Sequence, residues 1–131
     1  RTESAERLPY ARVITAMAQD ALANELAGEL FDVVLVCGMM EFVRDPVAFL
    51  QQVVRALAHG GLLGLAVPHN QTFPLERKFG ILTHALEPLD TALQSCGLER
   101  EWSEDFNGYI LEQGKVEVMY RGSVWSKQLV E

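Results

Sequence analysis

The chain has 131 residues, 49% of them hydrophobic, which suffices for one packed core and falls short of two ordinary domains. Eighteen acidic against eleven basic residues leave a net charge of −7 with the basic residues scattered, so no stripe exists to neutralise successive phosphates, and nucleic acid is excluded as the main partner. The apolar runs fall far short of the roughly 20 residues that cross a bilayer, and nothing at the start resembles a secretory leader, so the expectation is a soluble cytoplasmic protein without membrane attachment.

In chain order, residues 1–9 are polar and are expected to form a frayed end. The β-branched stretch YARVIT (10–15) predicts a short strand, and QDALANELAGEL (19–30) a loop with a short helix. FDVVLVCG, from Phe31 to Gly38, is apolar at consecutive positions, which predicts a central parallel strand covered by helices on both faces. Asp45 before Pro46 is a helix start: a carboxylate accepts orphan amide hydrogens, and proline fits the first helical position. Leu50, Val53, Val54 and Leu57 then recur at the spacing of one buried stripe, and Gly60 and Gly61 read as the helix stop.

LLGLAV (62–67) supplies a second buried strand closed by Pro68, completing a βαβ unit. The following HNQTFPLERKFGILTH (69–84) is long for a connection and is expected to be a functional loop or lid. A second helix is predicted over 87–95, with Leu89, Ala92, Leu93 and Cys96 on one face and Gly97 as its stop. Alternation at Val116, Val118 and Tyr120, after GYILEQG, predicts an antiparallel hairpin turning near Gln113 and Gly114. The whole of 1–131 reads as a single α/β domain. Since Arg1 is not an initiating methionine, the expectation is a piece of something longer.

Cys37 and Cys96 are far apart, and no cysteine or histidine pair has metal-ligand spacing, so no metal site is expected. Parallel strands followed by a terminal antiparallel hairpin narrow the doubly wound folds. Taken with FDVVLVCGMMEFVRDPVAFLQQVVRALAHGGLLGLAVP (31–68), the chain resembles the C-terminal half of a class I S-adenosylmethionine-dependent methyltransferase, of the type that acts on small molecules. There Glu41-Phe42-Val43 takes the place of an acidic-His-hydrophobic triplet. The resemblance implies a partial Rossmann-like sheet with a C-terminal hairpin, S-adenosylmethionine as cofactor and a small-molecule methyl acceptor.

The resemblance also implies roles. Cys37, Gly38 and Met39 leave a strand at the carboxyl edge, where open α/β sheets bind ligands, and in the family this loop faces the methionine end of the cofactor. Met17, Ala18, Gln19 and Asp20 match the segment that reads the adenine edge: Asp20 keeps the second acidic place, and Met17 stands where the family has its adenine-binding carboxylate. The glycine-rich turn after the family's first strand is absent, because nothing before Tyr10 is long enough to carry it, and Gly60-Gly61 lies between helix and strand in the reverse order.

His69, immediately after Pro68, is a candidate base for the acceptor's proton. Glu41 is a second candidate, as base or as substrate anchor; its plain alternative is a solvated or helix-capping carboxylate. His59 is expected beside a helix end, and His84 to be structural or exposed. Met39 and Met40 read as soft walls or as core, Phe73 and Phe79 as loop anchors, and Trp102 and Trp125 as burying the hairpin. Two functions follow: methyl transfer to a small molecule, or a non-catalytic methyltransferase-like module whose exposed strand edge is completed by a protein partner or second chain.

Overall fold

The computed structural model describes residues 12, 14–69, 79–111 and 116–129. Its elements are α1 (Ala18–Ala23), β1 (Phe31–Val36), a 3-10 turn (Met40–Phe42), α2 (Pro46–Arg55), β2 (Leu57–Pro68), α3 (Leu86–Ser95), β3 (Leu98–Leu111) and β4 (Val116–Lys127). The strands form a four-stranded sheet in the order β1-β2-β4-β3. β1 and β2 are parallel, while β4 runs antiparallel to both β2 and β3. The hairpin therefore folds its second strand inward, against β2.

α2 begins as its sequence dictates: the Asp45 carboxylate accepts from the amide of Ala48 at 3.1 Å, and Pro46 occupies the first turn. Phe49, Leu50, Val53 and Val54 are its buried face. The helix stops at Arg55, earlier than the glycine pair suggested, and Lys127 takes up carbonyls at this end, with Nζ 2.9 Å from the Val54 oxygen and 2.6 Å from that of Leu57. Gly60 does adopt the left-handed conformation, at φ +82°, but within an irregularity of β2: Phe31 pairs with Leu57, and Val33 with Leu62. His59 accordingly lies in β2, with Nδ1 3.0 Å from the Gln128 carbonyl. Replacing Lys127 with methionine is expected to lower stability by about 1 kcal/mol, read as a lower urea midpoint, since two carbonyls lose a charged donor.

One core holds the layers together. Leu63, Leu65, Val67 and Trp125 of the sheet meet Leu50 and Val53 of α2 and Leu89 and Leu93 of α3. Each such side chain is worth about 1.5–3 kcal/mol on burial. Trp125 is fully buried, and its indole N–H donates to Ser123 Oγ at 2.9 Å. α3 starts one residue before its predicted position, and Gly97, at φ +84°, follows its end as expected.

Two expectations change. β1 has β2 as its sole strand neighbour among the described residues, and Val33 and Leu35 are 58% and 72% exposed, so it is an edge strand with one covered face. The reason is that the helical cover lies on one side of the sheet. Of the predicted strand 10–15, Arg12, Ile14 and Thr15 are described and belong to no strand; its other residues lie outside the described ones, as do Phe73 and the hairpin turn at Gln113 and Gly114.

Candidate functional site

The carboxyl ends of β1 and β2 lie side by side, because the strands are parallel neighbours. Cys37 and Gly38 leave β1 exposed to solvent. Gly38 has φ +70°, a conformation side-chain-bearing residues rarely adopt, and no atom lies within 4 Å of where a Cβ would stand. The turn is thus both glycine-dependent and open to close approach. Met39 is half-buried against the core, as is Ala18 at the start of α1, so the two predicted contact segments share one apolar support. Met17, before α1, is 67% exposed, and Asp20 is exposed in the first turn. Gln52 of α2 holds this segment by donating to the Gln19 carbonyl at 2.8 Å.

Past Met39 the chain turns inward. Met40 is core, and Glu41 is 1% exposed, with no hydrogen-bond partner for its Oε1. Glu41 is therefore neither a solvated loop carboxylate nor a helix cap. Phe42 points outward, at 68% exposure.

A strap stitches the two strand ends together. The Leu82 amide donates to the Glu41 carbonyl at 2.8 Å and the His84 amide to that of Pro68 at 2.9 Å, while His84 Nε2 lies 2.7 Å from the Met40 carbonyl. His84 is buried and structural. Phe79, ahead of it, packs with Ile81 against Val118 and Tyr120, anchoring the strap to the opposite face.

His69 follows β2 directly, and its amide donates to the Met119 carbonyl at 3.0 Å. Its Nε2 is 3.3 Å from Asp105 Oδ1 of β3, near enough for charge attraction but not aligned as a hydrogen bond. His69 and Glu41 share the carboxyl edge, yet no hydrogen bond or ion pair joins them among the described residues. Asp105 is in register with Arg121 of β4. Arg121 in turn grips Asp90 of α3 through two bonds of 2.8 and 2.6 Å, and Arg100 reaches the same carboxylate at 3.2 Å.

No sequence motif announced this charged row. Its members come from the end of β2, from β3, β4 and α3, and only the tertiary fold aligns them. Two open hollows among the described residues, of about 420 and 470 Å³, lie beside α1 and beside Cys96. Among the described residues no group of three or more side chains is placed to hold a metal ion, and no helix is long and apolar enough to cross a membrane.

Comparison with known proteins agrees with this geometry. A methyltransferase-domain family model matches residues 2–65. A solved S-adenosylmethionine-dependent methyltransferase from Methanosarcina mazei superposes with TM-score 0.68 at 18% identity, over 98% of this chain and 76% of its own. The N-methyltransferase NodS from Bradyrhizobium japonicum, solved with S-adenosylhomocysteine, gives 0.55 at 19% identity, over 76% of this chain and 47% of its own. The 4+2 cyclase SpnF gives 0.54 at 16% identity, over 78% and 52%. The chain thus spans three quarters of the first of these structures and about half of the other two. No curated protein sequence matches it. Residues 2–65 match a methyltransferase-domain family model, and the described residues share the fold of solved S-adenosylmethionine-dependent methyltransferases.

Proposed function

We propose that this chain forms one wall of an S-adenosylmethionine site and takes part in methyl transfer to a small-molecule acceptor. The observation that carries the reading is the open Gly38 turn at the carboxyl edge of β1, inside methyltransferase-domain sequence. The residues present fit one side of the cofactor. Cys37, Gly38 and Met39 would meet its methionine end, and Ala18 and Asp20 its adenine edge, with Met17 supplying apolar contact only. When bound, the cofactor supplies an activated methyl group, so the protein's part is positioning, exclusion of water and removal of the acceptor's proton.

His69 is the group suited to that last task. It stands at the carboxyl edge of β2, with the Asp105 carboxylate 3.3 Å from its Nε2 to hold the ring in place. Glu41, the second candidate, is buried with its Oε1 unpartnered, which makes it the less accessible of the two. A cytoplasmic location suits this reading, since Cys37 and Cys96 are both free thiols.

Titration calorimetry with S-adenosylhomocysteine tests the cofactor side. Saturable binding that Gly38→Val abolishes supports it; no heat from the folded protein overturns it. In a methylating preparation, His69→Ala is expected to lower kcat by about 100-fold or more while S-adenosylhomocysteine affinity stays unchanged. An unaltered kcat removes His69 from the reaction.

A non-catalytic module is the second reading. Met17 at the adenine-reading position favours it, as does the closed-off Glu41. SpnF, a 4+2 cyclase, is a structural neighbour with a different reaction on a similar fold. This reading expects a stable fold with no cofactor binding.

A further inference from the structure

Glu41 is a carboxylate held in the core without full compensation: it is 1% exposed, and its Oε1 has no hydrogen-bond partner. Hydration would relieve that cost. The strap of residues 81–84 is tied to this turn and to the end of β2. The Leu82 amide donates to the Glu41 carbonyl at 2.8 Å and the His84 amide to that of Pro68 at 2.9 Å, and the His84 ring meets the Met40 carbonyl at 2.7 Å. Each such bond is modest in net worth, because water replaces it on opening. Both ends of the strap leave it room to swing. Gly80 is exposed at φ +70°, and no atom lies within 4 Å of where its Cβ would stand. At the other end α3 begins from Ala85, which supplies no side-chain cap. Ile81, Leu82 and Thr83 between them are only partly buried.

We infer that residues 81–84 are a gate, hinged at Gly80, whose opening brings the Glu41 carboxylate into water at the carboxyl edge of the sheet. The two states trade different terms. The closed one keeps the hydrogen bonds of Leu82 and His84 and the packing of Ile81 near Val118 and Tyr120, whereas the open one hydrates a charge. Opening is a local event of the folded protein, because the main core of Leu63, Leu65 and Trp125 with α2 and α3 contains no residue of the strap. In the open state a carboxylate stands three positions from Gly38, at the edge that the proposed function gives to a cationic sulfonium. The gate does not rest on that reading and stands if the crevice binds nothing.

The test needs no ligand. Hydrogen exchange followed by NMR is expected to give the Leu82 and His84 amides one common opening constant, about tenfold or more above that of amides in the β2–β4 ladder. Every interaction broken on opening enters that constant, so Glu41→Met is expected to slow exchange of both amides by about tenfold or more. Exchange of the pair at the ladder's rate overturns the gate. An opening constant that Glu41→Met leaves unchanged does so too, since the carboxylate then stays covered when the strap moves. A second measurement on the unsubstituted chain decides the question if that variant does not fold. Carbodiimide with glycine ethyl ester, read by mass spectrometry, labels a carboxylate only where solvent reaches it. Glu41 is expected to react about tenfold or more faster than the unfolding that frees the ladder amides permits. Labelling no faster than that unfolding overturns the inference.

Discussion

Replacing Asp90 with alanine is expected to lower unfolding stability by about 3 kcal/mol, because it strands Arg121 in the interior. The Arg121 side chain is 7% exposed and that of Asp90 20%, and their paired oxygens and nitrogens meet at 2.6 and 2.8 Å. Taking the guanidinium out of water is costly, and this carboxylate is what offsets the cost. Arg121 Nε is buried without a hydrogen-bond partner even with Asp90 in place. Arg121→Met combined with Asp90→Leu is expected to lose far less than the sum of the single changes, since no isolated charge is left behind. Urea unfolding of the cycle measures this; a single-mutant loss below 1 kcal/mol contradicts it. The change also reaches the candidate site, because Arg121 is the register partner of Asp105 and Asp105 faces His69. In a methylating preparation, Asp90→Ala is expected to lower kcat with S-adenosylhomocysteine affinity retained.

Glu41→Met is expected to act in the opposite direction and stabilise the fold, by about 2 kcal/mol. Glu41 is 1% exposed, its Oε1 accepts no hydrogen bond, and a buried carboxylate without donors is among the costlier arrangements a core can hold. Methionine has a similar length and carries no polar atom to desolvate, and the backbone carbonyl that receives Leu82 is kept. A higher urea midpoint with unchanged slope is the sign to look for. If the carboxylate supports the strand-end turn for ligand binding, the same variant weakens S-adenosylhomocysteine binding while gaining stability, the trade expected of a functional residue held at a cost. Loss of stability shows instead that the carboxylate is satisfied by a partner inside the fold.

A linear reading singled out Glu41 but neither its burial nor the pairing of Asp90. Asp90, Asp105 and Arg121 are ordinary charges in the sequence, 15 or more positions apart, and become a row only when β4 inserts between β2 and β3. Glu41 was legible as a residue at the strand end, since the βαβ pattern places it there. Its burial was not, because the strap over it comes from residues 81–84, some 40 positions along the chain.

What the sequence determined by itself was local and periodic. The apolar runs of β1 and β2, the Asp45-Pro46 start of α2, the stripe of α3 and the alternation in β4 are set by side chains a few positions apart, where backbone geometry is the whole argument. The motif in residues 31–68 also carried the family resemblance and the glycine turn at Gly38. Tertiary structure alone decided how the elements share the sheet. Consecutive apolar residues read as a strand covered on both faces, yet among the described residues β1 has one strand neighbour and leaves Val33 and Leu35 open, because cover depends on which elements pack there and not on the strand's own residues. In the same way Gly60 kept its predicted conformation and lost its predicted role: a positive φ is a local property, whereas α2 ends at Arg55, where Lys127, placed by long-range strand pairing, meets the Val54 carbonyl.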